Sequence, residues 1–192
     1  MRGRNKPEPG DAIAQECSTE FFEELRRHYC PKKIRVLFVA ESRPAGGTFF
    51  YSGNSHLARY TEQAFRKGYG IAAMGMDDFL RGFKAAGCYL EDLCPEPVNH
   101  IKSSSARRAA WQDAVEYLAG RVRRAAPAVI IPIHKGSERY ARQAAKRAGR
   151  LDTVKPAIPF PSMGHHPRYI AGLSRLIGEL REGSMLPASF PA

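Results

Sequence analysis

The sequence predicts one α/β domain, a three-layer α/β/α sandwich around a mainly parallel sheet of about four strands. Short apolar runs rich in branched residues alternate along the chain with longer segments of helical periodicity. Turn residues follow the apolar runs, and most runs lead into a helix, so we expect parallel strands covered by helices on both faces. A chain of 192 residues is long enough to form one such core.

The first half of the chain is predicted to contain three helices and two strands. An amphipathic pattern over residues 18–29 predicts the first helix, and Pro31 ends it. The apolar run at residues 34–39 predicts a strand that is buried on both faces. The later elements of this half are helices at residues 55–67 and 77–86 and a strand at residues 88–93.

The second half repeats the alternation. A long helix is predicted from Ser103 to the residues before Pro127, and a strand follows at residues 128–133, where Pro132 indicates an edge position or an early end. Ser137 is expected to cap the next helix. A short strand at residues 157–160 and a helix at residues 169–181 complete the predicted fold.

The charge of the chain is unevenly distributed. The formal net charge is +11, and residues 101–192 carry 16 basic and 6 acidic side chains against 14 and 13 in residues 1–100. A one-sided basic surface favours an anionic partner, and nucleic acid is the leading interpretation. Arginines that merely solvate the surface are the alternative. Residues 1–17 are expected to form a flexible basic tail, and residues 18–192 a single domain.

Several classes of function lose support. The sequence has no apolar run of membrane-spanning length and no hydrophobic signal core, so we expect a cytoplasmic protein. Its four cysteines are scattered without a Cys-x-x-Cys pair, and we expect no metal site or iron-sulfur cluster. The chain also lacks the phosphate-binding, dinucleotide-binding and serine-hydrolase motifs. These four cysteines are Cys17, Cys30, Cys88 and Cys94.

The stretch after the first strand carries the strongest functional signal. Glu41 follows the strand directly, and a loop containing Pro44, Gly46 and Gly47 turns the backbone. Open α/β sheets bind ligands at this edge. The loop then presents three consecutive aromatic residues, so we expect a pocket that suits a flat polar ring. These aromatic residues are Phe49, Phe50 and Tyr51.

The other strand ends bring further polar groups to the same edge. The second strand ends near Asp92 and Asn99, and Asp92 fits either a pocket or a structural turn. The later strands end in residues 134–137 and 162–169. A glutamate at a strand end is also commonly an ion-pair partner, which is the alternative reading of Glu41.

The order and content of these strand ends resemble the uracil-DNA glycosylase superfamily. The first family motif is a strand that runs into a Gly-Glu-Ala-Pro-Gly type loop and a base-stacking aromatic residue, and the second is a His-Pro loop before the last helix. The resemblance spans roughly residues 34–180, without the cysteine pattern of the iron-sulfur branch. The matching residues are Ala40, Glu41, Ser42, Pro44, Gly46, Gly47 and Phe50 in the first motif and His166, Pro167, Arg168 and Tyr169 in the second.

The resemblance implies a monofunctional enzyme that flips uracil out of single- or double-stranded DNA and hydrolyses the N-glycosidic bond. Free uracil and an abasic site would be the products, no cofactor would be needed, and a monomer is expected. Glu41 and His166 would be catalytic. The base would contact Ala40, Ser42, Phe50, Asp92 and Asn99, and DNA would contact Gly46, Gly47, Ser137, Ser162, His165, Arg168 and Tyr169, the last two filling the gap left by the base.

Two departures from the family pattern keep other functions open. Ala40 replaces the first glycine of the family loop, and Asp92 stands where the family usually holds a base-reading asparagine. One alternative is therefore a protein of the same fold that binds DNA or a nucleobase without cleaving it. Others are a glycosylase for hypoxanthine or xanthine, and an enzyme that acts on a nucleotide or phosphosugar.

Overall fold

The computed structural model describes residues 19–191 of the chain. The predicted tail at residues 1–17, including Cys17, lies outside the described residues. In chain order the elements are α1 (Thr19–Tyr29), β1 (Val36–Ala40), α2 (His56–Tyr69), α3 (Met76–Ala85), β2 (Cys88–Asp92), α4 (Ser104–Asp113), α5 (Val115–Ala125), β3 (Val129–Pro132), α6 (Glu138–Arg147), a 3₁₀ turn (Leu151–Thr153) and α7 (His166–Glu182).

The sheet is parallel, as predicted. Strand β1 lies at its centre, with β2 on one side and β3 on the other. Every residue of the three strands is buried, which explains why their sequences are nearly continuous apolar runs rather than alternating ones. Because all three strands run the same way, Ala40, Asp92 and Pro132 lie near one edge, which we call the carboxyl edge. The opposite edge is the amino edge.

The predicted fourth strand is reduced to two isolated bridges. Val154 bridges Ile130, and Ile158 bridges Ile133, both in parallel orientation. Prolines at positions 156, 159 and 161 remove the backbone donors that a longer ladder would need. The sequence therefore predicts the position of this segment correctly but not the extent of its pairing.

Helices cover both faces of the sheet. On one face, the Phe38 ring of β1 lies 6.2 Å from Phe65 of α2 and 5.4 Å from Phe83 of α3, between ring centroids. Helix α7 packs along α2 on this side. On the other face, Leu37 and Arg121 of α5 line one cleft, and α5 packs against α6. The predicted three-layer sandwich is confirmed.

Two helix boundaries differ from the prediction. The long helix predicted after Ser103 is divided at Ala114 into α4 and α5, although the Ala114 N–H still donates to Ala110 and the Leu118 N–H to Ala114. Helix α7 begins at His166 instead of Tyr169. Pro167 is tolerated in this first turn because the N–H that it lacks would have no partner within the helix there.

Two further findings concern the described residues. No helix among them combines the length and the apolar character needed to cross a bilayer. Within residues 19–191, no three His, Cys, Asp or Glu side chains meet as a metal ion would require, and Cys30, Cys88 and Cys94 are free thiols.

A buried hydroxyl pair joins α2 to α7. Tyr169 is fully buried, and its hydroxyl lies 2.7 Å from the Thr61 hydroxyl. Thr61 donates its own proton to the Leu57 carbonyl at 2.6 Å, so Tyr169 is the donor of the pair. A side chain in this position cannot reach DNA, and the predicted role of Tyr169 in filling the base stack is wrong.

We predict that Tyr169→Phe lowers the free energy of unfolding by about 1 kcal/mol, because it removes one buried hydrogen bond without changing the packing of the ring. Urea denaturation measures the change. Tyr117→Phe is the matched control, since Tyr117 is 38% exposed, and it should leave stability unaltered. Equal stability of the two variants would contradict this account of the α2–α7 interface.

Candidate functional site

A cavity of about 360 Å³ opens at the carboxyl edge of the sheet. This volume lies in the range of small-molecule sites. The end of β1, the loop that follows it, the start of α2, the end of β2 and the segment before α7 all contribute to its lining. The lining residues are Ala40, Ser42, Arg43, Pro44, Thr48, Phe49, Phe50, Asn54, Ser55, His56, Leu57, Arg59, Leu90, Asp92 and Phe160.

Two of the three predicted aromatic residues line this cavity. Phe49 and Phe50 are both almost fully buried and both contribute to its wall. Tyr51 is buried beneath them, where its hydroxyl accepts from the Leu90 N–H at 2.7 Å and donates to the Leu90 carbonyl at 3.0 Å. Tyr51 is therefore a core residue that anchors the loop to β2. Phe50, the residue predicted to stack on a base, is among the residues that line the cavity.

Side-chain hydrogen bonds hold the loop after β1 in place. The Asn54 Oδ1 accepts from the Phe49 N–H at 2.8 Å, which leaves the two N–H groups of this amide to other partners. The Ser55 hydroxyl caps α2 by accepting from the Ala58 N–H at 3.1 Å. The cavity wall is thus fixed at both ends of the aromatic run.

Asp92 is the buried charge of the cavity. Its Oδ2 accepts from Arg26 Nη2 at 2.5 Å, and Arg26 Nη1 also donates to Glu91 Oε1 at 3.3 Å. Arg121 of α5 donates to the other oxygen of Glu91. No described residue bonds the Asp92 Oδ1, and Asp92 lines the cavity. The site therefore offers one carboxylate oxygen as an acceptor inside an aromatic wall.

Burial and ion pairing act in opposite directions on these groups. Desolvation raises the pKa of Asp92 and of Glu91 above their ordinary values, and the charge of Arg26 opposes that rise in both. Burial alone would lower the pKa of Arg26, but the two carboxylates outweigh it and raise the pKa. Arg26 is therefore a permanent cation whose field favours an ionised Asp92.

Glu41 lies beside the cavity, but its side chain is held by helix α4. Arg107 donates from Nε to Oε1 at 2.5 Å and from Nη2 to Oε2. Trp111 Nε1 also donates to Oε1, at 2.8 Å. The bonds to Glu41 raise the pKa of Arg107. The contacts of Glu41 are therefore those of an ion-pair partner, which is the alternative interpretation given above. Its chain neighbours Ala40 and Ser42 line the cavity, but Glu41 does not.

His134 belongs to the same cluster as Glu41. Its ring meets Trp111 edge to face, with 5.7 Å between ring centroids. Burial lowers the pKa of His134, the charge of Glu41 raises it, and the charge of Arg107 lowers it. The Ser137 hydroxyl lies 3.2 Å from His134 Nδ1 and does not cap α6. Ser137 is also buried, so its predicted roles as helix cap and DNA contact are wrong.

His166 lies at the exposed start of α7 and stacks on an aromatic ring of α2. Its ring is nearly parallel to that of Tyr60, at 13° with 5.0 Å between centroids. Tyr60 in turn meets His56, a cavity residue, at 6.2 Å. A row of three rings therefore connects the predicted catalytic histidine with the rim of the cavity.

The loop before α7 projects one apolar side chain into solvent. Met163 is 94% exposed and has a left-handed backbone with φ of 48°. Ser162, His165 and Arg168 around it are also exposed. Phe160, two residues before Ser162, lines the cavity. Met163 is therefore an exposed side chain in this loop, which is the position that the sequence analysis predicted for Tyr169.

The structure brings together most of the predicted base-binding residues, with one exception. Ala40, Ser42, Phe50 and Asp92 all line the cavity. Asn99 does not line it, and its Oδ1 accepts instead from the Ala45 N–H at 3.0 Å. Asn99 therefore stabilises the loop after β1. The prediction that Asn99 contacts the base gains no support from this position. In that loop Gly46 is exposed and Gly47 is half-buried.

The sequence analysis missed several residues of the site. His56 and Arg59 border the cavity from the first turn of α2. Their i, i+3 spacing directly after the aromatic loop is a signal that could have identified them. Arg26 carries no such signal, because it reaches Asp92 from a helix 66 positions away in the sequence.

Comparison with models of known protein families finds no match for this chain, and neither does comparison with curated protein sequences.

We predict that Arg26→Met lowers the free energy of unfolding by about 3–5 kcal/mol, because it leaves Asp92 without its partner in a buried position. Since burial already raises the pKa of Asp92 and Glu91, the folded variant binds protons more tightly than its unfolded chain. The loss should therefore be smallest at low pH and grow as pH rises through the folded-state pKa values.

Urea denaturation at about pH 5 and about pH 8 checks both the size and the pH dependence of this loss. Arg81→Met is the control, because Arg81 pairs with Asp78 at the surface and should matter little. A loss that is equal at both pH values would contradict the assignment to buried carboxylates.

Proposed function

We propose that the protein is a uracil-DNA glycosylase that flips uracil out of DNA and hydrolyses its N-glycosidic bond. The observation that carries the proposal is the cavity at the carboxyl edge, where aromatic walls enclose a buried carboxylate with one oxygen free. A flipped base needs an apolar slot for its faces and a polar group at its hydrogen-bonding edge. We expect the protein to act as a monomer in the cytoplasm.

Asp92 selects the base in this proposal. An ionised carboxylate only accepts hydrogen bonds, so its free oxygen pairs with the imide N–H of uracil. Cytosine presents an acceptor at the same ring position and would leave two acceptors facing each other. The charge of Arg26 favours the ionised form of Asp92 against the burial that raises its pKa, and so supports this discrimination. Phe50 or Phe49 holds the face of the ring.

Bond cleavage in this proposal uses Glu41 and His166, which lie outside the set of residues that line the cavity. As the bond between C1′ and the base breaks, the sugar gains positive charge and the base leaves with the electron pair. Glu41, which accepts hydrogen bonds from Arg107 and Trp111, stabilises the cationic sugar or positions the water whose oxygen bonds to C1′. His166 donates a hydrogen bond to the leaving base, and Tyr60 holds its ring.

DNA contacts in this proposal surround the cavity. Gly46 and Gly47 offer backbone amides, and Ser162, His165 and Arg168 contact phosphates from the loop before α7. Arg43 and Arg59 add positive charge at the rim. Met163, with Arg168 beside it, fills the gap in the base stack after extrusion, since exposed apolar side chains serve as wedges in bent duplexes.

One observation favours a second candidate, a protein that binds a base in DNA without cleaving it. Both oxygens of Glu41 are engaged by Arg107 and Trp111, and Glu41 is not among the residues that line the cavity. A carboxylate with these partners can serve structure alone. This candidate predicts retention of uracil-containing DNA with no abasic product.

We predict cleavage at uracil when purified protein is incubated with labelled oligonucleotides and abasic sites are opened with alkali. The substrates carry one uracil, hypoxanthine or xanthine in single and double strands. Glu41→Gln and His166→Ala should each reduce the single-turnover rate by at least about 100-fold, because each removes a group that acts on the breaking bond. Glu116→Gln and His100→Ala, which alter exposed residues, are the matched controls.

Unchanged turnover in both Glu41→Gln and His166→Ala would sink the assignment of catalytic residues. Retention of DNA without any cleavage would favour the binding protein. Cleavage confined to hypoxanthine or xanthine would support a DNA glycosylase, but one that acts on that base instead of uracil.

We predict that Met163→Ala lowers the excision rate on duplex DNA by about tenfold. The shortened side chain would no longer offset part of the few kcal/mol that unstacking a base costs. Single-stranded DNA has no intact stack to refill, so its excision rate should change much less. Leu151→Ala is the control, because Leu151 is also an exposed apolar side chain but lies in the 3₁₀ turn after α6. Equal losses on both substrates would show that Met163 is not a wedge.

A further inference from the structure

Three adjoining clefts surround the turn by which the chain enters β1, at the amino edge of the sheet. Their volumes are about 380, 450 and 300 Å³, and Lys33 borders all of them. The ends of α3 and α5 and the segment after α6 form their outer walls. Two of these clefts lie at the end of the strands opposite the cavity described above, and the first also extends along the face of the sheet to Glu91.

The side chains around these clefts are strongly basic. Among residues 19–191, Glu91 is the only acidic one that lines them, and it is already paired with Arg26 and Arg121. We call the six cations that remain the amino-edge surface. They are Lys32, Lys33, Arg35, Lys84, Arg124 and Arg150.

These cations differ from five arginines of the helix surfaces that have a carboxylate within 4.0 Å. The five pairs are Arg66 with Glu62, Arg81 with Asp78, Arg142 with Glu138, Arg147 with Glu116 and Arg175 with Glu179. Within residues 19–191, no carboxylate lies at ion-pair distance from any member of the amino-edge surface. Their charge is therefore available to an external anion.

We propose that the amino-edge surface binds the phosphodiester backbone of a nucleic-acid strand, at a site separate from the cavity. Uncompensated cations in three neighbouring clefts match an anion that repeats along its length, whereas a single small anion would occupy only one cleft. A membrane surface would need exposed apolar anchors, and Met185 is the one large exposed hydrophobic side chain among the lining residues. Contacts to phosphate alone carry no sequence preference.

The two sites face opposite ends of the sheet. The five residues of β1 separate them by about 16 Å, and the loops at each end add to that distance. A straight duplex that lies on one edge leaves the other edge free. The amino-edge surface therefore holds a second segment of nucleic acid, whether or not the cavity cleaves a base.

The experiment compares two triple variants with the same change in net charge. Lys33→Gln/Arg35→Gln/Arg124→Gln removes three cations of the amino-edge surface, and Arg81→Gln/Arg147→Gln/Arg175→Gln removes three paired arginines elsewhere. Glutamine keeps the aliphatic stem of Arg35, which lies against Gly87. Thermal denaturation verifies that both variants are folded.

Fluorescence anisotropy then measures the affinity for an undamaged 20-base-pair duplex, a length of about 68 Å, at several salt concentrations. We expect the amino-edge variant to lose at least about tenfold in affinity at low salt, and its slope of log Kd against log salt to fall by about 2 to 3, near 0.9 for each phosphate contact removed. The control variant should change by less than about 1 in that slope.

Equal changes in the two variants would overturn the proposal, because net charge alone would then explain binding. An unchanged amino-edge variant would overturn it as well. If poly-glutamate competes as well as the duplex does, the surface takes acidic protein segments and the proposal fails. Failure of base excision is a separate result. If the wild-type protein excises no base but the two variants still differ in their slopes of log Kd against log salt, the proposed function is refuted and this inference is supported.

Discussion

The buried guanidinium of Arg26 is the contact on which the cavity depends. It joins α1 to the end of β2 through Asp92 and Glu91, and Arg121 completes the group from α5. The two buried carboxylates are matched by two cations, and Arg26 also pairs with the more exposed Glu23 at 3.2 Å. Such pairing is how ionised groups are tolerated in an interior. The aromatic wall is packed on the same group, since the Arg26 guanidinium lies 5.0 Å from the Phe49 ring centroid. The orientation of Asp92 in the cavity is thus fixed by a helix that does not itself line it.

The direction of the strands explains why polar groups collect at one edge. In a parallel sheet every carboxyl end lies on the same side, and the loops there are free to carry side chains that the buried strands cannot. Glu41 and Asp92 each follow the last apolar residues of their strands, one position apart in the register of β1 and β2. Both acquire arginine partners, but from different helices. The same topology therefore produces two carboxylates with different surroundings.

Local patterns in the sequence predicted what short-range physics determines. Apolar runs predicted the strands, and Pro31 predicted the end of the first helix. The partners of the carboxylates could not be predicted, because Arg26 and Arg107 are each 66 positions from the residue that they bind. The prediction for Tyr169 was wrong for a related reason. Its neighbours in the sequence, an exposed histidine and an arginine, suggested that its side chain is exposed. Its burial against Thr61 depends instead on the packing of α7 on α2.

The distribution of ion pairs explains how a chain with a net charge of +11 presents a directed positive surface. The three carboxylates at the ends of β1 and β2 are all bound by arginines. Five helix arginines pair with carboxylates three or four positions away or on a neighbouring helix. Among the described residues, cations without such a partner line the clefts at the amino edge and the rim of the cavity. An anionic partner therefore meets positive charge at both ends of the strands, and the parallel sheet sets the position of both surfaces.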